Sequence, residues 1–256
     1  MNIYAFAPIA AALNVAYQFL QGLAVALFPL AGANAAALAI VALTILVRLL
    51  LIPVGLSQAR AQHTRERLAP HLLELRRRHG ADKERLQRET LGLYETEGAS
   101  PLAGCLPLLL QAPVLSVVYG LFVLPTISGH PNELLGHTLF GSALGISPAA
   151  LIVQGGSALG IAVPALLLIA TSLVVLLSRW WMLRVAPTLG APSTTLSALS
   201  WLPLITVGFA AIVPLAAALY LGVSATWSLI ERMLLRRWVH RHGSRPTSVK
   251  GNPAAT

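Results

Sequence analysis

One residue invites a chemical reading before any other. Arg48 stands inside the apolar run VALTILVRLLLIPVGL (41–56), about ten residues from Gln58, where the polar sequence resumes. On a helix that is roughly 15 Å, beyond the comfortable reach of a snorkelling side chain. A guanidinium at such depth costs about 2.5–3.5 kcal/mol on insertion scales. Its charge therefore has to meet water, lipid phosphate, backbone carbonyls or a ligand. Two readings follow: a structural arginine at a helix crossing, or a functional arginine in a hydrated cavity, with Thr44 one turn earlier on the same face. The remaining polar groups in apolar stretches are few. Gln111 cannot satisfy its amide from its own helix and is expected to face protein or water. Thr171, Tyr220 and Ser224 complete the candidate set with Arg48 and Thr44. Hydroxyls in membrane helices commonly bond back to their own backbone, so each is weak evidence alone.

Covalent chemistry fits poorly. The chain has no G-x-S-x-G, HExxH or P-loop motif, and its apolar stretches contain neither a histidine base nor metal-binding carboxylates. His63, His71 and His79 recur every eight residues, a poor spacing for ligands on one helix. No cofactor and no metal site is expected, and Cys105 reads as apolar packing.

Composition places these residues in a membrane. Of 256 residues 56% are hydrophobic and only 11% charged, with a mean hydropathy of +0.72. So few charges could not cover a soluble protein of this size. A single cysteine excludes a disulfide scaffold, and the apolar content excludes intrinsic disorder. The formal charge of +9 would otherwise suggest nucleic-acid binding, a poor fit to such hydropathy.

The charges cluster. Sixteen of 27 fall between Arg60 and Glu97 and seven between Glu231 and Lys250; the others are Arg48, Glu133, Arg179 and Arg184. Five apolar tracts follow, at about 35–57, 101–125, 159–179, 197–213 and 215–231, the last two a hairpin of short spans turning near Pro214. With residues 58–98, the 180–196 loop and the tail all on one face, that face receives every Lys and Arg except Arg48. The positive-inside rule makes it the cytoplasmic one. The expected fold is an all-α polytopic membrane protein with five transmembrane helices, N-out and C-in. It divides into an N-terminal segment (1–32), a first span (33–57), a cytoplasmic helical hairpin (58–98), a four-span remainder (99–232) and a basic cytoplasmic tail (233–256).

Residues 1–30 are apolar enough to span, yet Asn14, Gln18 and Gln21 share one helical face, as in an interfacial amphipathic helix. A signal peptide is disfavoured, because no basic segment precedes the apolar one. The 58–98 hairpin should break at His79-Gly80-Ala81 with Asp82 capping the second arm. Leu68, Leu72 and Leu75 stripe the first arm, and Leu86, Leu93 and Tyr94 the second. Glu74–Arg78 and Glu84–Arg88 are i,i+4 pairs in the favourable order. The loop at about 126–158 carries one charge, Glu133, and should lie along the membrane surface. Within it and just beyond, GSALGIS (141–147) is nearly repeated as GSALGIA (156–162).

Three stretches resemble the YidC/Oxa/Alb membrane-protein insertases: TILVRLLLIPVGLSQ (44–58), SPLAGCLPLLLQAPVLSVVYGLF (100–122) and WLPLITVGFAAIVPLAAALYLGVSATWSLIE (201–231). Gly104-Cys105-Leu106-Pro107, followed by Gln111 and Pro113, is the most specific part. The chain departs from the family's pattern at Leu221 and Ala225, and its 159–179 span offers Thr171 and Ser172 where a glutamine is usual.

The resemblance implies a hydrophilic groove, open to the cytoplasm and to lipid, in which Arg48 attracts the polar or acidic leading segment of a nascent membrane protein while the substrate's apolar helix slides into the bilayer. It implies that residues 1–32 form an outer-face amphipathic helix. It also implies the Sec translocon and the ribosome as partners, the latter through the basic tail and the hairpin, and residence in the bacterial plasma (inner) membrane. A small anion-binding transporter or channel using Arg48 is the alternative that the residues alone leave open.

Overall fold

The computed structural model describes residues 6–80, 82–96, 116–127, 129–155, 157–185 and 201–242. Gln111 and Cys105, with the most family-like part of the second stretch, lie outside them, as do most of the 180–196 loop and the end of the tail. The chain is mostly helical. Helix α1 (Ala7–Ala31) ends at Gly32, whose φ of +53° lets the chain turn sharply through a 3-10 turn (Gly32–Asn34) into α2 (Ala35–Leu50). After a single residue, Leu51, helix α3 (Ile52–His79) begins with Pro53 in its first turn, where a missing N–H is tolerated. Helix α3 thus runs through the expected boundary at residue 57 and continues, unbroken, as the first arm of the hairpin. The second arm is α4 (Lys83–Thr96). Asp82 Oδ1 accepts the Arg85 N–H at 3.0 Å, the cap expected of it. Gly80 keeps right-handed helical angles; a Cβ there would come within 2.6 Å of the Arg76 carbonyl.

Helix α5 (116–123) leads into the loop segment, which is more ordered than its composition suggests. It contains two antiparallel two-residue hairpins, β1 (Thr126–Ile127) with β2 (His130–Pro131) and β3 (Thr138–Leu139) with β4 (Ser142–Ala143). Asn132 fixes it to α5: its side-chain N–H groups donate to the carbonyls of Leu121 (2.9 Å) and Leu124 (3.0 Å), satisfying acceptors that a helix end leaves free. The short helix α6 (Pro148–Gln154) follows, then α7 (Ala158–Val185), α8 (Leu202–Ile212) and α9 (Leu215–His242). The chain turns at Val213-Pro214, as expected. The first N–H groups of α9 are taken up by the loop, Leu215 by the Ile146 carbonyl (2.9 Å) and Ala216 by that of Leu144 (3.0 Å).

Helix α9 is the hub, packing against α7, α2, α3 and α8. The apolar core lies at the N-terminal ends of α2 and α9. It joins Ala36, Ala37, Ala39 and Ile40 to Leu215, Ala216, Ala217 and Ala218, with Leu13 and Leu20 of α1, Leu121 and Phe122 of α5, and Ile127, Leu134 and Leu144 of the loop. Alanine at these positions lets the backbones approach closely. Away from the core, large apolar side chains are exposed in helical stripes. On α7 these are Leu166, Ile169, Leu173, Leu176 and Leu177. Two described helical stretches, Ala7–Leu50 and Ala158–Arg184, are long and apolar enough to cross a membrane. Stripes of this size that face no protein are what a lipid-embedded helix presents.

Candidate functional site

Below the alanine-rich core, the seam between α2 and α9 becomes polar. Arg48 in the last turn of α2 donates from Nη2 to Ser224 Oγ in α9. Ser224 is buried and Arg48 half-buried. Among the described residues no carboxylate lies within ion-pair distance of Arg48. A hydroxyl supplies a dipole but no counter-charge, so among the described residues the guanidinium stands without a balancing carboxylate beside a packed apolar core.

Thr44 and Tyr220 stand one turn from Arg48 and Ser224, on their respective helices and towards the core. Thr44 is buried and gives its hydroxyl proton to the Ile40 carbonyl (2.6 Å), so its hydroxyl is already engaged within its own helix. The Tyr220 ring lies 5.9 Å from that of Phe122 in α5. Thr171 sits instead between α7 and α9, its hydroxyl bonded to the Leu167 carbonyl (2.8 Å) and facing Gly222. Of the six sequence-derived residues, Arg48 and Ser224 therefore meet directly, Thr44 and Tyr220 stand one turn from them on their own helices, Thr171 lies in the next seam, and Gln111 is outside the described residues.

Away from the core the α9 face continues. Ser228 donates to the Ser224 carbonyl (2.8 Å), and Trp227 Nε1 donates to Glu231 Oε2 (3.0 Å). The Glu231 carboxylate packs onto Gly55 in α3, in the space a Cβ there would fill. Arg48 and Gly55 are seven residues apart, and so are their partners Ser224 and Glu231. Equal spacing in the same order means that α2–α3 and α9 run parallel. The pairing extends further: the Arg60 guanidinium lies 5.8 Å from the Trp238 ring, and Arg236 meets Glu66 at 3.6 Å. Sequence reading missed Gly55 and Trp227 and treated Glu231 only as a boundary charge. The i, i+4, i+7 spacing of Ser224, Ser228 and Glu231 was the available signal.

At the far end of α7, Arg179 stacks 4.1 Å over Trp201 and Arg184 3.8 Å over Trp180. Amphipathic aromatics beside cations suit a membrane–water boundary. At the opposite end, α1 is tied to the loop. The Tyr17 hydroxyl accepts from the Glu133 N–H (3.1 Å) and from Gln21 Nε2 (2.8 Å), and Gln21 Nε2 also lies 3.2 Å from Glu133 Oε2. Asn34 Oδ1 accepts from the Phe140 N–H at 2.7 Å.

Residues 28–242 match the family described as 60Kd inner membrane protein. A protein named membrane protein insertase YidC from Xanthomonas oryzae pv. oryzae (strain PXO99A) is 26% identical over 212 residues, 82% of this chain and 32% of the relative. Its namesake from Cellvibrio japonicus is 43% identical over 82 residues, 32% of this chain and 15% of the relative. That from Clostridium perfringens is 38% identical over 80 residues, 31% of this chain and 34% of the relative. The matched regions thus span about a third or less of these relatives' own lengths. Together with the apolar helices they mark a bacterial membrane protein. With the family match covering most of its length, the chain belongs to the 60Kd inner membrane protein family, that of the YidC/Oxa/Alb insertases.

Proposed function

We propose that this protein is a membrane protein insertase that works without covalent chemistry. It receives a nascent membrane protein in a cytoplasm-open groove at the α2–α9 seam and releases the apolar helix into the bilayer. One observation carries the reading: among the described residues the positively charged Arg48 bonds to the hydroxyl of Ser224 alone and meets no carboxylate, directly beneath a packed apolar core. A polar or acidic leading segment is attracted to that charge and stopped by the core. Partial dehydration there lowers the cost of its transfer, and burial of the following apolar helix supplies the drive, at roughly 25 cal/mol per Å². The membrane potential adds a force on acidic tails.

The five-span, N-out and C-in arrangement is part of the same proposal. Parallel α2 and α9 support it, since the first and fifth spans of such a chain run the same way. Tyr17, in the middle of α1, and Asn34, in the turn that follows it, both bond to the 133–140 segment. A helix crossing the membrane would carry Tyr17 about 20 Å from that level, so these bonds favour α1 lying along the outer face. The α3–α4 hairpin and the basic tail are the natural contacts for the ribosome and the Sec translocon.

Reconstitution tests the proposal. Purified protein in liposomes is offered a short single-span substrate with an acidic outer tail, and protection of that tail from protease is scored. Wild type should insert it, Arg48→Ala should not, and Arg48→Lys should keep part of the activity. No insertion above empty liposomes, with controls working, would sink the reading.

A further inference from the structure

The seam that carries Arg48 also carries a charge of opposite sign. Glu231 lies seven residues beyond Ser224, about 10 Å along α9 towards the basic end of the chain. It is half-buried, its Oε2 bonded to Trp227 Nε1 and its other oxygen against Gly55. Among the described residues no cation comes within ion-pair distance of it, although Arg232, Arg236 and Arg237 follow directly. The acid across this face, Glu66, instead meets Arg236. A glutamine at 231 would accept the same Trp227 hydrogen bond and fill the same space beside Gly55 without the cost of a half-buried charge. Packing therefore does not account for the carboxylate.

We propose that Glu231 is a specificity-determining residue for insertion, holding the basic flank of an entering polypeptide at the mouth of the groove while Arg48, two turns deeper, takes its acidic or polar leading segment. This rests on the insertase reading above. At the start of insertion both flanks of a substrate helix are on the cytoplasmic side, and the seam offers each an unneutralised partner of the right sign. The order of the two charges matches the order in which flanks end up, negative across and positive retained. In a mouth lined with arginines, Glu231 also relieves the repulsion a basic flank would otherwise meet.

The test uses the full chain in liposomes with two single-span substrates that share an acidic outer tail. One has three lysines in its cytoplasmic flank, the other three glutamines. Glu231→Gln should lower insertion of the lysine substrate roughly fivefold, the scale of one partly exposed ion pair, and leave the glutamine substrate unchanged. Glu231→Lys should recover insertion of a third substrate whose flank carries three aspartates. Equal loss for the lysine and glutamine substrates, or no loss for either, would overturn the role assigned to Glu231 while wild-type insertion still upheld the insertase. Failure of wild type with every substrate would overturn both.

Discussion

Thr171 Oγ1 lies 2.9 Å from the point where a side chain at Gly222 would begin, and Leu167 Cδ1 lies 3.4 Å from it. Two helices of the bundle meet here because one of them offers no side chain. The hydroxyl is held by its bond to the Leu167 carbonyl, so it cannot simply rotate away. Gly222→Ala should therefore destabilise the protein by about 1–2 kcal/mol through overpacking, despite alanine's better helix propensity. In thermal unfolding in detergent that is a fall of a few degrees. Adding Thr171→Ala, which removes the obstructing oxygen, should recover most of the loss. A Gly222→Ala protein as stable as wild type would show that the seam is looser than described.

The Arg48–Ser224 bond should matter less than the charge it holds. Ser224→Ala removes the acceptor but leaves the guanidinium free to bind water or substrate. Loss of a hydrogen bond to a charged group is worth about 1.5–3 kcal/mol where nothing replaces it, and water replaces part of it here. Insertion should fall about threefold to tenfold, less than in Arg48→Ala. A Ser224→Ala variant as inactive as Arg48→Ala would mean that positioning of the arginine, rather than its charge, limits the reaction.

The proposed orientation has a direct readout. In a Cys105→Ser background, Gln87→Cys on α4 and His137→Cys in the outer loop place single thiols at exposed positions. An impermeant maleimide should label position 137 in right-side-out vesicles and position 87 in inside-out ones. Both thiols reacting from one side would refute the arrangement.

The hairpin carries a pH signature. Glu74 accepts a hydrogen bond from Arg78 Nε at 2.7 Å and a longer one from Arg77, and the Arg78 bond chiefly holds its carboxyl below the ordinary value, with desolvation acting against it. A carboxyl depressed in the folded state favours the fold above the unfolded value, and that contribution is lost as pH falls through the lowered value. Carboxyl-carbon NMR of the full chain should place Glu74 below the ordinary carboxyl value, and Arg78→Ala should bring it back up. An unchanged titration in that variant would rule out the ion pair in solution.

What could be read from sequence was mainly local. Asp82 caps α4 because an aspartate after a helix break supplies the acceptor that free N–H groups need. Pro214 turns the last hairpin because a proline cannot continue the preceding helix. Thr44 and Arg48 share a face by spacing alone. The unread part depends on partners remote in the chain. No periodicity announces that Arg48 meets Ser224, or that Gly55 exists to admit the Glu231 carboxylate. The two near-identical heptapeptides make the point within a few residues. In GSALGIS, Gly141 closes the β3–β4 turn at a φ of +85° and the next residues form β4, whereas in GSALGIA residues 158–162 already belong to the start of α7, with Ser157 Oγ accepting the Gly160 N–H. The loop's order likewise comes from Asn132 and the first turn of α9, not from its own composition.

Helix α3 is one unbroken rod from Ile52 to His79, about 42 Å long, so a tilt of about 5° at its base sweeps the far end through nearly 4 Å. It is a lever whose fulcrum, Leu51, stands three residues from Arg48. The Arg236–Glu66 pair ties it to α9 about halfway along, dividing the rod into two nearly equal lengths, one towards Arg48 and one towards α4. For a tilt about Leu51, a displacement at the tip is roughly halved at Glu66 and falls to almost nothing beside the guanidinium.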